Sequence, residues 1–164
     1  MAKIRAGHSA PNFELSNAAG DRFSLADALK RGPAVIAFFK ISCPTCQFTL
    51  PFLQRLYQAY GGERVTFWVV SQDDAEDTEE FRREYGITFP ALLDEDGYPA
   101  SNEYGLTNVP TFYLIAPDGT IRVDSVGFSK RALEQISQQL AGTLARPVSP
   151  VFQPGEVVPD SKPG

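Results

Sequence analysis

Ala34-Val-Ile-Ala-Phe-Phe39 is an unbroken apolar run, and Val65-Thr-Phe-Trp-Val-Val-Ser71 nearly so. Runs of this length and composition predict strands covered on both faces, as in the middle of a parallel sheet. Between them Cys46, Leu50, Leu53, Leu56, Tyr57 and Tyr60 recur at helical spacing, so a helix is expected from about Cys43 to Tyr60, stopped by Gly61-Gly62. Asp73–Tyr85 is acidic at its start and carries Arg82 and Arg83 near its end, a polarity that suits the helix dipole. Ala91-Leu92-Leu93 reads as a short strand, Asp94–Gly97 as a turn and Tyr98–Tyr104 as a short helix.

Thr111–Ala116 and Thr120–Val126 flank Pro117-Asp118-Gly119, a hairpin signal. Ser129 caps a last helix to about Leu144, with Leu133, Ile136 and Leu140 on one face. At the other end, Asn12–Leu15 and Asp21–Ser24 enclose the turn-rich Asn17–Gly20 and predict a small hairpin. Ser24 opens a short helix carrying Leu25, Ala28 and Leu29, ended by Arg31-Gly32-Pro33. Alternating strands and helices give a parallel part and the closing hairpin an antiparallel part, so the expected class is α/β with a mixed sheet. From Arg146 onward five prolines punctuate the sequence, which divides it into a domain over residues 1–145 and a proline-rich tail over 146–164, strapped to the body through Val151 and Phe152.

With 164 residues, 43% hydrophobic and 12% aromatic, the chain can bury one core. A net charge of −5 with no basic cluster argues against nucleic acid or an anionic membrane surface as partner. The opening Met1–His8 has two cations and no apolar stretch behind them, so a cytoplasmic location is expected; a monomer is expected as well.

The chemistry converges on Phe38-Phe-Lys-Ile-Ser-Cys-Pro-Thr-Cys-Gln-Phe-Thr49, which holds both cysteines. A structural zinc site usually takes four Cys or His ligands, and here only Cys43, Cys46 and the distant His8 are on offer, so no metal is expected. A strand enters the stretch and a helix leaves it. Cys43 then stands at the helix N-cap with Pro44 at the first helical position, and the free amides and positive dipole end there stabilise a thiolate. Cys46 lies one turn on, within disulfide range. Exposed Cys43 is the expected nucleophile, and the more buried Cys46 the thiol that resolves the mixed disulfide.

"GHSAPNFEL", "GDRFSL", "VIAFFKISCPTC" and "YGLTNVPTFYLIAPDGTI" follow one another, over roughly residues 7–142, in the order and spacing of a known family. The chain resembles thioredoxin-fold proteins of the redoxin, or TlpA-like, branch, related to the AhpC/TSA proteins. That resemblance implies a three-layer α/β/α thioredoxin fold with an N-terminal β-hairpin extension. It implies a thiol-disulfide oxidoreductase that needs no bound cofactor, with disulfide-containing protein substrates and a dithiol electron donor as partners. It implies a cis Pro110 packed beside the cysteines, a Val109 backbone free to pair with a bound peptide, and Pro44 and Thr45 in the same substrate surface.

Three positions depart from the family. Ser42 stands where many members have Trp. Ala37 and Thr49 stand where relatives carry a carboxylate thought to accept the proton of the resolving cysteine, a role for which water or Lys40 is the remaining candidate. A peroxiredoxin-like thiol peroxidase is the first alternative, but the pattern PxxxTxxC has Ile36 and Lys40 at its Pro and Thr. A non-catalytic or Cu(I)-binding module is the second, but copper carriers of this type space their cysteines CxxxC and add a downstream His. The acidic run Asp73–Glu80 reads as a solvated helix face, Trp68, Phe38, Phe39 and Phe52 as core, Phe48 as core or the rim of a substrate groove, and His8 as surface.

Overall fold

The computed structural model describes residues 4–164; Met1-Ala2-Lys3, which open the expected domain, lie outside them. Strands β1 (Glu14–Ser16) and β2 (Arg22–Ser24) form the first hairpin, with Leu15 opposite Phe23. Asn17 shapes its turn: its side-chain oxygen accepts the amides of Ala19 and Asp21. Helix α1 (Leu25–Leu29) starts at Ser24, whose hydroxyl accepts the Asp27 amide.

Strand β3 (Ala34–Phe39) is buried along its whole length. It pairs in parallel with β4 (Thr66–Ser71) and antiparallel with β6 (Thr111–Ile115). The chain passes from β3 to β4 through α2 (Pro44–Tyr60), then through α3 (Ala75–Tyr85) to β5 (Ala91–Leu93). Helix α4 (Pro99–Glu103), strand β7 (Ile121–Val126), the two-residue β8 (Phe128–Ser129) and helix α5 (Lys130–Leu144) follow. The main sheet runs β2-β1-β5-β4-β3-β6-β7, and β9 (Ser161–Lys162) pairs antiparallel with β8.

The alternation of side chains along β3 divides the interior in two. Val35, Ala37 and Phe39 face Leu50, Leu53 and Leu56 of α2, Phe81 of α3, and Leu133, Ile136 and Leu140 of α5. Ala34, Ile36 and Phe38 face the other way, onto Phe13, Leu15, Leu25, Trp68, Tyr104 and Tyr113. This is the expected α/β sandwich of two helical layers around a mixed sheet, with the hairpin added at one rim.

Helix boundaries match the capping chemistry. Asp74 caps α3 by accepting the Asp77 amide, and Gly86 ends it in a left-handed conformation with φ 67°. Ser129 caps α5 by accepting the Ala132 amide. Pro51 lies inside α2, where it removes the amide that would bond the Gln47 carbonyl.

Asp94 opens the expected turn with its side chain folded inward. It is 1% exposed, and its carboxylate accepts the Ala100 and Ser101 amides at 2.9 and 2.8 Å and the Ser101 hydroxyl at 2.7 Å. The turn thus folds its first acid inward as the anchor of α4, whose own N-cap, Tyr98, makes no side-chain cap bond.

The proline-rich segment lies across the body rather than away from it. Val151 is buried, and the Phe152 ring meets Phe52 at 5.1 Å and Phe128 at 6.4 Å. Arg55 of α2 binds Glu156 through two bonds of 2.7 Å and also donates to the Val151 carbonyl at 2.9 Å. Beyond Glu156 the chain returns to β8 and to the start of α2.

Candidate active site

Strand β3 ends at Phe39, and the four residues Lys40–Cys43 carry the chain onto α2. That connection is held from two sides. The Asp73 carboxylate accepts the Ile41 amide at 2.8 Å, and the Gln47 side chain donates to the Ile41 carbonyl at 2.9 Å. Asp73 therefore has a structural bond and is only half exposed, unlike the solvated residue expected of the acidic run.

Cys43 occupies the N-cap of α2 in an extended conformation, with Pro44 at the first helical position. The amide of Cys46 donates to Cys43 Sγ at 3.0 Å. A sulfur that receives a backbone amide at the positive end of a helix is placed to carry negative charge. The Cys43 thiol in turn donates to the Val109 carbonyl at 3.4 Å.

The two cysteines are free thiols in different surroundings. Cys43 is half-buried and flanked by exposed Ser42 and Pro44. Cys46 is 0% exposed. Burial pushes the Cys46 thiol far up, helped by its hydrogen bond with Cys43; a backbone hydrogen bond from Lys40 pulls the other way, and the charge of Asp73 adds a smaller push upward. One thiol can meet a substrate; the other is held protonated beside it.

The expected neighbours come together here. Val109–Pro110 is a cis peptide, Pro110 is buried, and its carbonyl accepts the Gly127 amide at 2.7 Å. Thr45 and Pro44 stand at the helix tip, across from Val109. Val109 itself differs from the expectation of a free backbone. Its carbonyl already takes the Cys43 S–H, and Gly164 packs so closely that a Cβ there would stand 2.8 Å from the same oxygen.

Ala37 and Thr49, which stand at the two carboxylate positions, are both closed to solvent. Ala37 is 1% exposed inside the sheet, and Thr49 is 0% exposed with a hydroxyl that has no partner among the described residues. Lys40 is exposed at the strand end, and His8 is exposed and accepts the Arg5 amide at 3.2 Å. Neither enters the site through its side chain in any contact on the Cys43–Cys46 pair. Among the described residues no group of three or more His, Cys, Asp or Glu side chains is arranged to hold a metal ion.

Sequence reasoning missed the far side of the site. The Thr45 hydroxyl donates to the Pro163 carbonyl at 2.7 Å, the Asn108 amide donates to the Gly164 carbonyl at 3.3 Å, and the Lys162 ammonium lies 4.7 Å above the Phe48 ring. Phe48 is thus a rim residue as well as a packed one. No local sequence rule places residues 161–164 here, because their contacts with Thr45 and Asn108 span more than fifty residues of chain.

Comparison with known proteins places the chain. The sequence model of the AhpC/TSA family matches residues 6–124. Thioredoxin-like protein YneN of Bacillus subtilis is 31% identical over 137 residues, covering 80% of this chain and 78% of that protein. Thiol-disulfide oxidoreductase ResA of Bacillus anthracis is 28% identical over 145 residues, covering 88% and 79%. In structure, the chain is similar to the thioredoxin domain of a thiol-disulfide oxidoreductase from Bacteroides vulgatus, with a TM-score of 0.73, 22% identity and coverage of 84% and 98%.

Proposed function

This chain belongs to the AhpC/TSA family and is a thiol-disulfide oxidoreductase of thioredoxin fold, and we propose that Cys43 and Cys46 are the dithiol through which it works. The observation that carries the assignment is the Cys46 amide at 3.0 Å from Cys43 Sγ, on a half-buried sulfur, with the second thiol sealed one turn behind it.

The Cys43 thiolate attacks one sulfur of a substrate disulfide. A Cys43–substrate S–S bond forms, the substrate S–S bond breaks, and one substrate thiolate leaves and takes a proton from solvent. Cys46 then gives up its proton and attacks Cys43 Sγ. The Cys43–Cys46 disulfide forms, the mixed disulfide breaks, and the second substrate thiol is released. Two electrons pass from the dithiol to the substrate, and an external dithiol returns them. Reversal of the same steps oxidises a dithiol substrate.

Burial of Cys46 makes its deprotonation the demanding half of this cycle. With Ala37 and Thr49 at the carboxylate positions, the proton leaves to water once a mixed disulfide has formed. The protein acts as a monomer in this reading, because one chain supplies both sulfurs and the surface around them.

The test is insulin reduction with dithiothreitol as donor. Cys43→Ser should fall to the uncatalysed rate. Cys46→Ser should form a mixed disulfide seen as an added substrate mass and then stop. Undiminished steady-state turnover by Cys46→Ser contradicts the division of labour.

A further inference from the structure

Residues 161–164 lie against Thr45, Phe48, Asn108 and Val109, on the rim of the cysteine site. Ser161 and Lys162 form a strand antiparallel to β8, opposite Ser129 and Phe128. The next two residues cross from there to the cysteine loop. Pro163 presents its carbonyl to the Thr45 hydroxyl at 2.7 Å, and Gly164 presents its own to Asn108 at 3.3 Å. Gly164 sits against the Val109 carbonyl, the same oxygen that accepts the Cys43 S–H. The Lys162 ammonium covers the Phe48 ring.

The bed is shaped for this close approach. Gly127 has φ +84°, and a Cβ there would stand 2.3 Å from the Lys162 carbonyl and 2.8 Å from the Gly164 nitrogen. The approach of the segment is also guided: the Lys130 amide donates to the Asp160 carbonyl at 2.9 Å. Yet all four residues from Ser161 to Gly164 are exposed, so their own hold on the surface comes from a few rim contacts. Ser161 and Lys162 form a two-residue strand, and Pro163 and Gly164 continue it across the rim.

Resting on the oxidoreductase reading above, we propose that Ser161-Lys162-Pro163-Gly164 occupies the substrate groove as a built-in competitor. The groove's partner is an extended polypeptide carrying a cationic residue followed by a small or proline segment beside its half-cystine. The cation takes the face of Phe48. The backbone adds to β8 and bonds to Thr45 and Asn108. The tail leaves when such a strand arrives. Tethering gives the tail an effective concentration on the order of millimolar, so a substrate must outbid a weak but ever-present rival.

Two substitutions in the full chain test this, and neither replaces a residue that contacts the reacting sulfurs. Lys162→Glu removes the cation from Phe48, and Gly164→Val places a side chain against the Val109 carbonyl. The assay is dithiothreitol-driven reduction of a disulfide-linked peptide carrying Lys-Pro-Gly beside its half-cystine. Each variant should lower KM about fivefold with kcat held, as expected when a competing closed state is removed. The free peptide Ser-Lys-Pro-Gly at millimolar concentration should inhibit the variants more than the parent. A matched peptide with Glu-Pro-Gly should show a higher KM than the Lys peptide. Unchanged KM in both variants overturns the competitor, and equal KM for the two peptides overturns the cationic preference. Absent turnover of either peptide by the parent chain strikes the oxidoreductase reading itself and the inference with it, whereas normal turnover with unmoved KM strikes the tail alone.

Discussion

The amide nitrogen of Cys46 lies 3.0 Å from Cys43 Sγ, so the resolving residue serves its partner through its backbone as well as its thiol. The two services separate on mutation. Cys46→Ser keeps the amide and the helix start, and Cys43 in that variant should alkylate with iodoacetamide within about twofold of the parent rate, because the donor that orders its sulfur is intact. Mass spectrometry of the modified peptide checks this. A large loss of Cys43 reactivity would mean that the side chain of Cys46, rather than its amide, sustains the nucleophile.

Alkaline pH should weaken the fold more steeply than its surface charge suggests. Burial pushes the thiol of Cys46 far above its ordinary value of 9.0, and burial likewise pushes up the phenols of Tyr104 and Tyr113 from 10.0. Above those ordinary values the unfolded chain has lost protons that the folded protein still holds. Stability is therefore complete below about pH 9 and falls as pH rises, by up to about 1.4 kcal/mol per pH unit for each group. Urea melts between pH 8 and 11 measure the slope. Cys46→Ser should flatten the part that begins near pH 9 and leave the tyrosine part in place.

Asp94 should prove costly to remove. Asp94→Ala leaves two amides and a hydroxyl unpaired in a site that is 1% exposed. The expected loss is about 2–4 kcal/mol by urea denaturation, with Asp94→Asn between the two because it keeps an acceptor. A loss below about 1 kcal/mol would show that α4 is held by its packing alone.

Thr49 points the other way. Its hydroxyl is buried without a partner among the described residues, so Thr49→Val exchanges an unsatisfied polar atom for a methyl of similar shape. Stability should hold or rise by about 1 kcal/mol, read from the same melts. A clear loss would reveal a bound water at this position.

Arg55 and Glu156 anchor the tail between its two ends. The guanidinium holds the Glu156 carboxyl down at about 2, below its ordinary 4.5. The anchor is therefore fully present above pH 4.5 and lost as pH falls towards 2. Arg55→Ala, which also gives up the bond to the Val151 carbonyl and the stacking on Phe52, should make subtilisin cut the 153–160 stretch several-fold faster at neutral pH without slowing DTNB titration of the thiols. Unchanged cleavage would place the hold in Val151 and Phe152.

Much of this was legible from residues alone, and the reasons are local. Ala34–Phe39 announces a central strand because a strand covered on both faces has no polar side to show. Cys43-Pro44 announces a helix start because cap and first-turn preferences are written within a few residues. Asp-Glu-Asp-Gly signals a turn; the burial of Asp94 depends on amides of α4 that the sequence does not place. Val151 and Phe152 signal the strap by being apolar in a proline-rich segment, but its path to Thr45 and Asn108 depends on contacts more than fifty residues apart in sequence. Thr49 and Ala37 carry no carboxylate, yet only packing shows that these places are sealed.

The seven-stranded sheet also has rims, and neither invites company. One margin is β2, three residues long and headed by Arg22. The other is β7, where Arg122 stands in solvent, Asp124 is half in it, and the segment around Gly7–Ser9 already bonds to Ile121 and Thr120. A brief border on one flank and a charged, partly occupied one on the other deny a neighbouring molecule the backbone ladder it would need to stack. The fold thus works against edge-to-edge growth of an interior rich in aromatic strands.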